Sequence, residues 1–416
     1  MTNQTTAAQT EEAPIVVTED MLTDWATKMD GPVALHMKQK LVPVEGEGGV
    51  IFPATYADIG YNIDTLSDGS KVVSIDSVGS QANRMEPIFR ASENDPQKWL
   101  VPQIMIKFGD RPCGKCEECK SKKKCKTPVV ELRSLLELAH RSADAVVQSS
   151  PSLAHHINDA FEDLRGTGNA GKLCKWAPTS LVFGVWDSRG GTGEKRPRLI
   201  RSMIRAWDVE PLHSAAQFTS VWKSLDEVTK NALKEEEAKK NKKALSDVGL
   251  ADAPAVFRKN DKIPKYRDGV LNSEARVLGG VLVRGRIERE VTVNLVALRG
   301  IRGVGDTNTV EIRKYLLGLT LVAATAEMDL FLREGCHLRF AEQTDVWFAV
   351  PRRGEPKKVA LGTPEARTLV QSYASTAADP FRKEWPKTQE ELVHTFDVKK
   401  ARELLAKKDN DATEQG

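Results

Sequence analysis

An uncharged run that leads straight into a glycine-rich basic loop limits this chain more than any other feature. In Thr179 to Glu210, TSLVFGVWDSRGGTGEKRPRLIRSMIRAWDVE, the segment Ser180 to Trp186 carries no charge and presents Val182, Phe183 and Val185. It reads as a buried strand that Asp187 ends in a turn. From Arg189 to Arg205 the chain then places five arginines and one lysine (Arg189, Lys195, Arg196, Arg198, Arg201, Arg205) against the single acid Glu194. Gly190, Gly191 and Gly193 let backbone amides come close to a ligand, and guanidinium forks match phosphate oxygens. A solvated turn with scattered arginines is the plain alternative. The loop's length, its glycines and its one-sided charge point instead to contact with a nucleic-acid backbone.

Bulk charge says little about partners, because 61 basic and 58 acidic residues nearly cancel to +3 while the bases cluster. Local patches therefore carry the argument. A chain of 416 residues can hold two or three domains, or one domain with large insertions. The first twenty residues lack a basic n-region and an apolar h-region, so no secretory signal is expected. The longest uncharged apolar stretch in a helical pattern, Tyr315 to Ala326, falls short of the ~20 residues of a membrane span. A cytoplasmic protein is the expectation.

Four of the six cysteines, Cys113, Cys116, Cys119 and Cys125, have the spacing C-x2-C-x2-C-x5-C. Four thiolates in one short loop satisfy a structural zinc ion. An iron-sulfur cluster is the second reading, although its usual cysteine run closes with a shorter last gap and a following proline. Lys115, Lys120, Lys122, Lys123, Lys124 and Lys126 surround the cysteines, so this loop is also suited to nucleic acid.

Along the rest of the chain, residues 1–28 read as a flexible segment. Strands are expected at Ala34 to Val44, Lys71 to Ile75 and Trp99 to Phe108. Between the second and third, Ser80, Gln81, Asn83 and Arg84 open a helix whose first turn offers amides to a phosphate or is an ordinary capped start. Helices are expected at Glu131 to Val147, after Ser150-Pro151, from Val310 to Arg333 and after Thr363-Pro364. His155, His156 and Asp159 alternate with an apolar stripe and read as a solvated face. Val281 to Leu298 reads as a strand pair or one long bent strand, and it ends in the glycine loop that holds Arg299 and Arg302. A last hairpin is expected from Leu338 to Phe340 and Val346 to Val350. The charged, lysine-rich stretch 223–275 reads as an insertion projecting from the core.

Several blocks together, GSQANRMEP (79–87), FGVWDSRGG (183–191), PRLIRSMIRAWDV (197–209), VNLVALR (293–299), and RKYLLGLTLVAAT with FLREGCHLRF (313–340), resemble a known family. That family is the backbone subunit of type I-G (formerly I-U) CRISPR-Cas effector complexes, in the RAMP superfamily. The resemblance implies an α+β fold: an RNA-recognition-motif-like (ferredoxin-like) palm over 29–402 with large finger and thumb insertions; the polar residues after it, 403–416, read as a flexible tail. Within that domain 109–128 is the Cys-rich loop and 223–275 the charged thumb.

The resemblance further implies a non-catalytic subunit that oligomerises along CRISPR RNA, grips its backbone without sequence preference and presents the guide to target DNA. Its implied partners are the crRNA, the target DNA strand, further copies of itself, other Cascade subunits (the large subunit and the one that binds and processes the crRNA end) and a recruited helicase-nuclease, with no membrane. Gln81, Asn83, Arg84, Ser188, Arg189, Arg198, Arg201 and Arg299 fall in the matching blocks and are expected at the RNA, joined by Lys195, Arg196, Arg205 and Arg302 from the basic loops. The alternative is a RAMP-type ribonuclease acting on CRISPR RNA or target RNA; against it, the seven histidines are dispersed and none lies in a basic loop.

Overall fold

The computed structural model describes residues 13–56, 59–93, 95–111, 113, 129–186, 195–213, 221–239, 245, 248, 250, 266–267, 270–271, 278–341 and 345–411. Helix and antiparallel sheet mix here, as in an α+β chain. Helix α1 (Glu19–Thr27) starts where Thr18 accepts from the Met21 amide, and the chain then enters β1 (Ala34–Pro43). Strict alternation orients β1: Leu35, Met37, Gln39 and Leu41 are buried while Lys38 and Lys40 are exposed. Strand β2 (Lys71–Asp76) leads into α2 (Val78–Met85), capped by Ser77. Strands β3 (Met105–Arg111) and β4 (Val129–Ser134) pair antiparallel, and α3 (Pro151–Thr167) follows with proline in its first turn.

A hairpin of β5 (Val185–Trp186) and β6 (Lys195–Arg196) precedes β7 (Ile200–Trp207). Strand β8 (Val209–His213) pairs with β9 (Leu278–Val283), so the 223–275 stretch departs from and returns to one antiparallel ribbon. Then come β10 (Ile287–Asn294), α4 (Gly305–Thr325), β11 (Cys336–Phe340), β12 (Val346–Val350) and α5 (Pro364–Arg382).

Among the described residues the main sheet has nine strands, and its centre runs β11, β1, β10, β7, β2 with every neighbour antiparallel. Strand β12 shares β1 with β11, taking its Ala34–Lys38 half while β11 takes Leu41–Pro43. Four of these strands, β1, β7, β10 and β11, lie in the order fourth, first, third, second, with a helix between β10 and β11 in the chain, helices and further strands between β1 and β7, and β2 added outside β7. Helices cover the inner face, where Leu35, Met37, Val291 and Val293 join α4 in the larger core. Each such side chain contributes about 1.5–3 kcal/mol by leaving water. Helices α4 and α5 cross closely at Gly318, where a Cβ would stand 2.7 Å from the Ala374 Cα.

The inner face is not apolar throughout. A second core holds Leu41, Ile204, Ala206 and Ile287, and a polar belt separates the two. Along it Gln39 donates to Asp345 (2.6 Å), Arg289 donates to Ser202 (3.2 Å) and Gln39 (3.4 Å), and Ser202 donates to Gln81 (2.8 Å). Gln81 donates in turn to Asp76 (2.6 Å), which Arg84 also meets at 3.1 Å. Burial lowers the Arg289 guanidinium to about 10, which still leaves it charged at neutral pH.

The structure revises several expected elements. Ser180 to Trp186 is one helical turn (Thr179–Val182) followed by β5, because Gly184 takes φ 77° and turns the chain. The expected strand Trp99 to Phe108 begins only at Met105; Pro102 has no amide to give a ladder. Glu131 to Val147 is not a helix. Its first part pairs as β4, and two 3-10 turns and a short helix, Ala145–Gln148, bury Leu135, Leu136 and Val147 instead. The long helix runs Gly305–Thr325, and Leu330–Arg333 is a strand. Strands β11 and β12 pair with β1, not with each other, and β9 and β10 likewise take different partners. No described helix is long and apolar enough to cross a membrane.

Candidate nucleic-acid interface

The outer face of the sheet is polar and half-exposed, and strand register sets it out in rows. Phe348, His36, Thr292 and Arg201 form one row across β12, β1, β10 and β7; Val346, Lys38, Glu290 and Met203 form the next. A third holds Lys40, Glu288 and Arg205. In the third row each charge is paired with a neighbour outside the row: Arg286 meets Glu288 at 2.9 Å, Lys40 meets Glu47 at 3.3 Å, and Arg205 reaches back to Glu290 at 3.6 Å. The first row has an exposed arginine, Arg201, and a histidine that hydrogen-bonds Thr292 at 3.1 Å. Burial lowers that His36 ring, with Glu290 opposing, so it is neutral near pH 7. Positive charge on this face is therefore least compensated at the Arg201 end.

At that end the β5–β6 hairpin adds a basic cleft of about 430 Å³. Its walls include His140, Trp186, Lys195, Arg196 and Arg198, with Arg141 and Gly184 among its lining residues. Gly184 is required twice over: its φ is 77°, and a Cβ there would lie 2.6 Å from the Arg198 Cγ. Arg141 is buried and held from several sides. It meets Glu86 at 2.7 Å, donates to Asn83 Oδ1 at 3.1 Å and lies 5.3 Å from the Phe183 ring centroid. Its backbone sits at φ 53°, a conformation rare for arginine that the surroundings hold in place. Burial pushes the Glu86 carboxyl up to about 7, and the Arg141 charge only partly offsets this. The pair thus supplies less negative charge to the cleft than an exposed carboxylate would.

The residues expected at RNA divide accordingly. Lys195, Arg196, Arg198 and Arg201 are brought together along the hairpin and the start of β7. Arg205 lies further down the same face beside Glu290, and exposed Asn83 supports Arg141. Gln81 and Arg84 belong to the polar belt: Gln81 is fully buried with both ends of its amide engaged, and Arg84 is tied to Asp76 and the Leu332 carbonyl. Arg299 is buried as well, donating to the carbonyls of Trp25 (3.1 Å) and Pro32 (2.8 Å). Gln81 and Arg299 thus face inward, and half-exposed Arg84 is engaged by structural partners. Arg302 is exposed in the loop before α4, where its carbonyl accepts from the Ala170 amide. Ser188 and Arg189 lie outside the described residues, as do Cys116, Cys119 and Cys125; Cys113 is half-buried.

Comparison with known proteins bears on this region directly. Residues 35–211 match the family described as CRISPR-associated protein GSU0053. The matched span is under half of the chain, and it contains β1, α2, the hairpin cleft and β7. No curated protein matches the chain. Among solved structures, a chain of a "CRISPR RNA-guided surveillance complex, pre-nicking" aligns over 90% of this chain and 99% of its own at 12% identity, with a TM-score of 0.26, too loose a likeness to place any residue.

Within the GSU0053-matched span, sequence reasoning passed over Arg141, Glu86 and Trp186. Arg141 and Glu86 had no local signal, since one lay in an expected helix and the other in a capped helix start. Trp186 did have one: an aromatic directly before a basic loop. His140 was likewise counted among the dispersed histidines, and the structure places it in the wall of the basic cleft.

Proposed function

We propose that this chain is a non-catalytic, RNA-binding backbone subunit of a type I-G CRISPR effector (Cascade) complex in the cytoplasm. In this reading it grips crRNA without sequence preference and, beside further copies of itself and other Cascade subunits, presents the guide to a target DNA strand. The observation that carries the reading is the run of bases that leads from the cleft wall at Lys195 and Arg198 to Arg201 at the start of β7. Lys195, Arg198 and Arg201 stand there on one side of a surface where acids are few. Contacts of this kind hold phosphates and carry no base readout, as a subunit serving any spacer requires. The match over 35–211 supports the CRISPR assignment. The strand order fourth, first, third, second, all antiparallel, supports an RNA-recognition-motif-like palm, and the ribbon of β8 and β9 supports 223–275 as a thumb.

Zinc is part of the proposal. Strands β3 and β4 are in register up to Arg111 and Val129, so the segment with Cys113, Cys116, Cys119 and Cys125 leaves from and returns to one strand pair, and four thiolates suit a structural ion. One observation favours a ribonuclease, namely His140 beside Arg141 and Arg198. Among the described residues, however, no hydrogen bond orients the His140 ring, and general acid-base cleavage needs an oriented pair.

Two single-stranded RNAs of equal length and unrelated sequence are expected to bind the full chain equally well across a salt series and to be recovered intact. A strong preference for one sequence, or shortened RNA, would contradict the proposal.

A further inference from the structure

We infer that the cleft beside the β5–β6 hairpin seats one nucleotide of a single strand, with the base stacked on Trp186 and the phosphate on Arg198. The inference rests on the RNA-binding reading above and goes beyond it, since charge alone would serve to hold a backbone.

Trp186 is 65% exposed, and it is the one tryptophan among the exposed large apolar side chains of the described residues. It contributes nothing to either core. The register of the hairpin sets it opposite Lys195, whose Nζ lies 5.9 Å from the ring centroid. The ammonium is attracted by the ring's quadrupole, and at 65% exposure much of the indole stays open to a second flat group. Every base has a π-face, so stacking of this kind adds affinity without adding sequence preference.

The rest of the cleft fits the same occupant. Its volume of about 430 Å³ lies in the range of sites that enclose small ligands, about 300–1,000 Å³. Val185 and Pro197 give it apolar wall for a base edge, while exposed Arg198 lies at the wall as a phosphate fork. One side of the cleft is also held in place by the protein's own contacts. Gly184 lets the Arg198 backbone pass within contact distance, and Arg141 is locked by Glu86, Asn83 and the Phe183 ring. A wall held in advance loses little to ordering when the site is filled.

The test compares a short U-rich RNA with an abasic ribose-phosphate oligomer of the same length, on the full chain and on Trp186→Ala, Trp186→Phe and Arg198→Ala. The unaltered chain is expected to prefer the RNA by between about fivefold and about a hundredfold. Trp186→Ala erases most of that preference at unchanged salt slope, and Trp186→Phe keeps most of it. Arg198→Ala lowers the salt slope by about 0.7 and leaves the preference. Because Trp186 is exposed, its loss does not threaten the fold. If RNA and abasic oligomer bind alike with full salt dependence, or if Trp186→Ala keeps the preference, the stacking site is wrong while the RNA-binding reading stands. If neither oligomer binds, both are wrong.

Discussion

Replacing Lys195, Arg198 and Arg201 together with alanine is expected to weaken single-stranded RNA binding by about a hundredfold at 0.1 M salt and to lower the salt slope by about 2. The magnitude follows from counterion release: each phosphate contact on a single strand contributes a slope of about 0.7, hence about fivefold at that ionic strength. All three side chains are exposed, and none is tied into the polar belt, so the melting temperature of the triple variant should stay close to that of the parent. The contrast with Arg84 and Arg299 is the point. Those arginines hold Asp76 and backbone carbonyls together, and their loss would confuse folding with binding. Equal affinity and equal slope in the triple variant would remove the hairpin from the interface.

The largest effect on stability is expected at Arg289. This guanidinium is fully buried, and its closest polar partners are neutral: Ser202, Gln39 and the Met85 sulfur at 3.7 Å. Asp345, which favours its charged form, is reached through Gln39. Alanine here leaves a cavity and strips partners from Ser202 and Gln39, a loss of about 3–5 kcal/mol. Methionine fills much of the space without a charge to desolvate, so Arg289→Met should recover more than half of the loss. Chemical unfolding of both variants decides the matter. If Arg289→Ala unfolds at the parent's denaturant concentration, the belt is a bystander between two independent cores.

How much of this was legible in the sequence depends on how local each cause is. Strand β1 and the capped start of α5 were readable, because alternation and Thr363-Pro364 act within a few residues; a helix was expected near Ser80, but its cap at Ser77 was not. The 131–147 segment misled because its leucines recur at a spacing that suits a helix, whereas pairing with β3 and a capping box at Ser134 and Glu137 claim the backbone first. The basic hairpin was visible as composition, but not the cleft it helps to form. That cleft needs Arg141, 43 residues from Gly184 in the chain and 58 from Asn83. Arg299 shows the same limit from the other side. An arginine in a glycine loop looks like a phosphate ligand until Trp25 and Pro32, 274 and 267 residues away, place their carbonyls against it. Whether a polar side chain points out or in is set by such distant partners, so Gln81 and Arg299 could not be told from Arg198 by sequence pattern.

Ultraviolet crosslinking of the full chain to guide RNA, with the adducts mapped by peptide mass spectrometry, is the most direct test of where a strand lies. Adducts are expected on Trp186, on the segment 195–201 and on the outer face of the sheet around His36, Lys38 and Phe348. Adducts concentrated on the helices of the inner face, α4 and α5, would contradict this placement.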